Sequence, residues 1–153
     1  MSISYEEKNR QTWEKFISIE TNSESDIDEL MKFLSENPSM TNPMMTATGR
    51  EEVRNFLLAD ISWSKPVYYW ELFEGNRLAI EWSQYPLANT KSEPELLHSC
   101  ATWTFDENGL LDSYYGAWCK VECYEVLLDA GIELDPELFI GKSIAELIRG
   151  VGA

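Results

Sequence analysis

The residues best suited to proton transfer lie in aromatic-rich, strand-like stretches. Glu71 stands between Tyr69 and Phe73 and faces the run Leu78 to Tyr85 across the turn Glu74-Gly75-Asn76-Arg77. Closure of this hairpin over an even-numbered loop sets Phe73 opposite Leu78, Glu71 opposite Ile80 and Tyr69 opposite Trp82. Those six share a face, and because the other face carries Glu81 and Ser83, the more apolar one is expected to point inward. Glu71 is then a carboxylate in an apolar cavity, where desolvation disfavours its charge and suits it to acid or base catalysis near neutral pH. The competing reading is a register one residue away, or a polar neighbour that pairs with Glu71.

His98 is the only histidine, and its side chain suits proton transfer at physiological pH. Strand alternation groups it with Cys100, Thr102 and Thr104, on the face opposite Leu97, Ser99 and Ala101, unless a bulge intervenes. One histidine and no Cys-x-x-Cys pair do not make a common zinc site. No spaced acidic motif asks for magnesium, so the expectation is chemistry without metal or cofactor.

The chain has 153 residues, a length suited to a single domain over 1–153, and its 44% hydrophobic content is ample for one core. With 12 Lys+Arg against 27 Asp+Glu, the formal charge of -15 repels nucleic acid and anionic membranes alike. Three cysteines, Cys100, Cys119 and Cys123, do not read as a secreted disulfide framework. Without a signal-like start or a membrane-length apolar run, a cytoplasmic location is expected.

Around these residues, Trp13, Phe16 and Ile17 recur at helical spacing from Tyr5 to Glu20, and Ile27, Leu30, Met31, Phe33 and Leu34 do so from Glu24 to Glu36. Asn37-Pro38 stops the second helix, and Ser39 to Pro43 reads as a short extended piece. Thr48 is expected to cap a third helix with Glu51 three residues on. Two hairpins follow: Val67 to Phe73 with Leu78 to Tyr85, then Leu96 to Phe105 with Leu110 to Trp118 across Asp106-Glu107-Asn108-Gly109. Helical patterns return at Lys120–Asp129 and Asp135–Arg149, within a C-terminal extension over 119–153. Helices segregated from a four-stranded antiparallel meander define an α+β domain.

Two signatures sit within this order: Thr41-Asn42-Pro43 followed by Thr48-Gly49-Arg50-Glu51-Glu52-Val53, and Phe105-Asp106-Glu107-Asn108-Gly109-Leu110-Leu111. At that separation they resemble the nuclear transport factor 2-like superfamily, in particular its SnoaL-like and ketosteroid isomerase-like members, over roughly Tyr5 to Trp118. The resemblance implies a cone-shaped, curved antiparallel sheet wrapped around the N-terminal helices, a deep pocket, and a homodimer through the outer sheet face. It turns Tyr114, Gly116 and Trp118 inward, where Tyr114 can donate to a substrate oxygen, Trp118 forms a wall and Gly116 leaves room for a bulky ligand. Ordinary core packing accounts for the same aromatics. The resemblance also implies a possible catalytic part for His98, since some SnoaL-like cyclases use a histidine on this strand.

This sequence departs from the isomerase pattern at three places. Phe16, Asn42 and Ala101 match the positions of the family's tyrosine and two aspartates, so that proton transfer is not available there. Asn42 remains able to donate and accept a hydrogen bond at the pocket mouth, beside Met40, Met44 and Met45. The leading expectation is a cofactor-independent isomerase, cyclase or dehydratase acting on a polycyclic, terpenoid or polyketide-like molecule. Glu71, Tyr114 and His98 are its candidate catalytic groups, and Phe16, Asn42, Tyr69, Trp82, Trp103 and Trp118 its binding wall. The alternatives are an epoxide-hydrolase-type enzyme, with Asp112 as a second acid at the rim, and a non-catalytic binding protein. Trp63 and the final helix, with Leu138, Phe139, Ile140 and Ile144, are a candidate lid.

Overall fold

The computed structural model describes residues 4–61 and 64–137. Helix α1 (Tyr5–Ser18) starts where the Ser4 hydroxyl accepts the Glu7 N–H at 3.2 Å, with Glu6 and Glu7 favourably placed against the helix dipole. Helix α2 (Glu24–Leu30) ends in a 3-10 turn, Met31–Phe33. Strands β1 (Leu34–Thr41) and β2 (Thr46–Thr48) precede helix α3 (Arg50–Ile61). Then come β3 (Ser64–Glu74), β4 (Arg77–Pro86), β5 (Leu97–Phe105), β6 (Leu111–Trp118) and helix α4 (Lys120–Asp129).

The six strands form one sheet in the order β2-β1-β6-β5-β4-β3. The α+β class stands, with two corrections. The expected four-stranded meander gains β1 and β2, and the sheet is mixed because β1 runs parallel to β6. The helix expected to reach Glu36 stops at Leu30, since the chain extends from Leu34, which pairs with Leu111 of the sheet. The apolar spacing through Leu34 suited a helix, but Pro38 offers no N–H for one to continue. Register shifts in β1, β3 and β5–β6 bend the sheet around its helices.

The second signature explains how α1 is seated. Asp106 Oδ1 accepts the N–H groups of Asn108 (2.9 Å) and Leu110 (2.8 Å), and Gly109 takes a φ of 72° that side chains resist. On this turn rest the Tyr5 hydroxyl, which donates to the Asp106 carbonyl, and Asn9, which is fully buried and donates to the Gly75 carbonyl at 3.1 Å. Helix α1 is thus pinned across the turns of both hairpins.

The first signature is equally structural. The Arg50 guanidinium donates to the carbonyls of Met31 (2.6 Å), Ser35 (2.8 Å) and Leu34 (3.1 Å), tying α3 to the start of β1. The capping carboxylate is Glu52, which accepts the Thr48 N–H at 2.8 Å, so the expected role of Glu51 shifts by one residue. Apolar residues of α1, α2 and α3 meet the inner sheet face in one core, and a smaller cluster of Leu97, Cys123, Val126 and Leu127 lies under α4. The helix expected over Asp135–Arg149 and the candidate lid residues fall almost wholly outside the described residues.

Candidate active site

Strand register lays the inner face out in rows. Met40, Tyr114, Trp103, Leu78 and Phe73 form the first, from β1 through β6, β5 and β4 to β3. Gly116, Ala101, Ile80 and Glu71 form the second, and Trp118, Ser99, Trp82 and Tyr68 the third. Helices α1, α3 and α4 close over the rows and leave a cavity of about 400 Å³. Its walls are aromatic: Trp103 lies 5.0 Å from Tyr114 and 5.7 Å from Phe16 between ring centroids, and Tyr68 lies over Trp82 at 6.2 Å.

Polar groups gather at the α3–β3 corner. Asp60, in the last turn of α3, is the one carboxylate among the described lining residues. Beside it the Ser64 hydroxyl donates to Gln84 Oε1 at 3.1 Å, a buried contact. Burial pushes the phenols of Tyr114 and Tyr68 well above the ordinary tyrosine value, and the Asp60 charge pushes both further in the same direction. Both phenols are therefore neutral hydrogen-bond donors near an acidic side chain. Tyr68 lines the cavity and keeps 37% of its surface accessible.

No protein-family model and no curated protein matches the sequence. Solved structures match the fold. A steroid delta-isomerase from Pseudomonas aeruginosa superposes with a TM-score of 0.63 at 15% identity, over 85% of this chain and 93% of that one. The chain has the nuclear transport factor 2-like fold. A nuclear transport factor 2-like protein of unknown function from Burkholderia pseudomallei also gives 0.63, at 15% identity, over 82% and 98% of the two chains. An epoxide hydrolase/cyclase-like enzyme of pyran ring formation in the polyether salinomycin gives 0.61, at 16% identity, over 76% and 95%. At such identities the likeness concerns the fold, and one fold carries many chemistries.

Within this nuclear transport factor 2-like fold, Phe16, Asn42, Trp82, Trp103, Tyr114 and Trp118 line the cavity. Glu71, Tyr69 and His98 do not. Glu71 pairs with Ile80 as expected, but β3 is the edge strand and the carboxylate stays in solvent rather than in the cavity. One residue further along, a bulge between Tyr68 and Trp70 puts Tyr68 opposite Trp82 and leaves Tyr69 49% exposed, so Tyr68 takes the place expected of Tyr69. His98 is on the outer face, as alternation indicated, with Nδ1 2.7 Å from Glu122 Oε1 of α4. The proposed rim acid Asp112 instead accepts the Ser35 hydroxyl at 2.7 Å and does not line the cavity.

Asn42 Oδ1 accepts the N–H groups of Met44 (2.8 Å) and Met45 (3.0 Å), so only its amide N–H₂ is left to meet a ligand. The space expected beside Gly116 for a bulky ligand is filled by the ring of Tyr114 itself. Cys123 and Leu127 of α4 also reach the cavity, and burial pushes the Cys123 thiol up to about 12, which leaves it an apolar, unreactive wall.

Sequence reasoning missed Asp60, Tyr68, Ser64 and Gln84. For Asp60 a signal was available: an acid in the last turn of a helix opposes the dipole, and local rules are broken where function needs them. For Tyr68 there was none, because an edge-strand bulge has no pattern of its own here.

Proposed function

We propose that the chain is a cofactor-independent acid–base enzyme of the isomerase, cyclase or dehydratase kind, acting on a neutral, largely apolar molecule that carries a carbonyl or similar oxygen. The observation that carries this reading is that the Asp60 carboxylate and the neutral phenols of Tyr68 and Tyr114 meet at one aromatic cavity. In an isomerisation, Asp60 takes a proton from the carbon beside the carbonyl, and the C–H electron pair becomes the enolate double bond. The phenols hydrogen-bond the oxygen on which negative charge gathers, and Asp60 returns the proton to another carbon. Proton and electrons balance without a cofactor.

The proposal moves the proton-transfer role from Glu71 to Asp60. An epoxide-hydrolase-type reaction would use Asp60 to activate water and a tyrosine to protonate the leaving oxygen. Non-catalytic binding draws support from Phe16, Asn42 and Ala101, which stand where the resemblance sets isomerase groups. A cyclic β,γ-unsaturated ketone in deuterated water separates these readings. Enzyme-dependent deuterium uptake is expected, and Asp60→Asn is expected to slow it about a hundredfold or more while the ketone still binds. Undiminished exchange in that variant removes Asp60 from the mechanism, and binding without exchange across a panel of such ketones favours a carrier.

A second copy of the chain is the proposed partner, with the outer sheet face as the contact. Support comes from the register row Tyr115, Thr102, Ala79 and Leu72, in which Tyr115 and Leu72 are 61% and 62% exposed. Light scattering on the wild type and on Leu72→Glu tests it, and a monomer in both overturns it. The charge of -15 disfavours nucleic acid and anionic membranes as partners. Among the described residues no helix is long and apolar enough to cross a membrane, and the three thiols are free, which fits the proposed reducing cytoplasm.

A further inference from the structure

Gly116 lies in the second row of the inner face, two residues after Tyr114 on the same strand and opposite Ala101. Its side of the sheet has no vacancy. A Cβ built on Gly116 would stand 2.2 Å from the Tyr114 hydroxyl oxygen, 2.7 Å from Cζ and 2.8 Å from Cε1. Such separations are far inside van der Waals contact, so the phenol occupies the volume that any other residue at 116 would fill. Backbone freedom is not the reason for glycine here, because the positive φ angles are at Gly49, Gly75, Gly109 and Gly131.

Inner-face side chains ordinarily stand up from a sheet, each within its own row. Tyr114 instead lies along β6. Its ring packs against Trp103 at 5.0 Å with a tilt of 54°, and its hydroxyl ends over the second row. That brings the hydroxyl one row nearer to Trp82 and Tyr68 than the Tyr114 backbone is. The neighbouring Ala101 is 4% exposed and small, so the phenol rests on a shallow floor made by two small residues.

We infer that Gly116 is the positioning residue of the site: by leaving its Cβ volume empty it lets the Tyr114 phenol lie along the strand and aims the hydroxyl into the cavity toward Tyr68. This rests on the reading of Tyr114 as a donor to the ligand oxygen and adds the residue that aims it. A methyl at 116 drives the ring up into the cavity or back over its own row, and the donor is lost without any change to Tyr114 itself.

The test uses Prodan, a fluorescent naphthyl ketone whose emission shifts to the red when its carbonyl accepts a hydrogen bond. Tyr114→Phe and Gly116→Ala are each expected to weaken Prodan binding about tenfold and to shift the bound emission to the blue. The pair together is expected to do little more than either alone, since both remove one hydrogen bond. Alkaline titration of tyrosine absorbance supplies a second readout, in which simple loosening of the fold would bring the buried phenols of Tyr68 and Tyr114 down together. Gly116→Ala is expected to bring one phenol down toward the ordinary value of 10.0, and that phenol is expected to be absent in the Tyr114→Phe background.

Wild-type affinity, emission and titration in Gly116→Ala overturn the proposal. Failure of the donor reading looks different: Tyr114→Phe then binds Prodan as the wild type does, and the titration alone decides the part of Gly116. If Gly116→Ala does not fold, recovery of folding in Tyr114→Ala/Gly116→Ala supports the contact, and no recovery overturns it.

Discussion

The two long hairpins are built from similar sequence and yet differ in how they serve the cavity. In β5–β6 the alternation is regular from Ser99 to Trp103 and from Tyr114 to Trp118, and Trp103, Tyr114 and Trp118 arrive at the cavity as strand parity and the family resemblance expect. In β3–β4 one extra residue, Tyr69, is pushed out between Tyr68 and Trp70, and every residue before it on β3 changes face. The contrast follows from where each irregularity falls. The shift of β5–β6 lies at the turn end, between Thr104 and Phe105, beyond the cavity residues, whereas that of β3 lies between Tyr68 and Trp70, among them. Parity is a sound guide along an uninterrupted stretch and fails across a bulge.

The largest difference between the hairpins is expected at the side chains that face the core. Trp103→Ala, from the regular hairpin and 3% exposed, is expected to lose about 3–5 kcal/mol, whereas Tyr69→Ala, from the bulge, stays within about 0.5 kcal/mol, both by urea unfolding. A large loss in Tyr69→Ala would mean that the bulge does not turn this ring outward.

Next in size are the paired phenols. Tyr114→Phe is expected to slow ketone proton exchange about a hundredfold and Tyr68→Phe about tenfold, because burial isolates the Tyr114 donor more completely from water. The reverse ranking would place the principal donor on the bulged hairpin.

The same phenols set an alkaline limit. Burial raises both above 10.0, so the folded state holds its protons more tightly than the unfolded state does. Their contribution is full below that value and stability falls as pH rises through it. Thermal melting between pH 8 and 11 should show a decline that becomes shallower in Tyr114→Phe. An unchanged slope would show that the Tyr114 ring is not desolvated.

The smallest effect belongs to Glu71. Glu71→Gln is expected to leave exchange within about twofold of wild type, since the carboxylate stands in solvent on the edge strand. A hundredfold loss would restore the inward reading and undo the contrast between the hairpins.

Much of the fold was legible because its causes are local. Asp106 and Gly109 specify their turn through side-chain acceptance and a positive φ. The inward set of β5–β6 follows from a two-residue repeat that is unbroken from Ser99 to Trp103 and from Tyr114 to Trp118. Strand β1 was hidden, because its pairing with β6 joins segments more than seventy residues apart and its bulged pattern has no clean period.

The sequence, with the family resemblance it carries, therefore determined the α+β class, the hairpin turns, the aromatic character of the cavity and the inward direction of Trp103, Tyr114 and Trp118. Tertiary structure alone decided which acid meets those rings. Glu71 had the right neighbours along the chain, but Asp60 has the right neighbours in space, because α3 delivers its last turn to the cavity corner. It decided equally that the hydroxyl of Tyr114 lies over Gly116, a contact set by packing density across a strand rather than by any residue pattern along it.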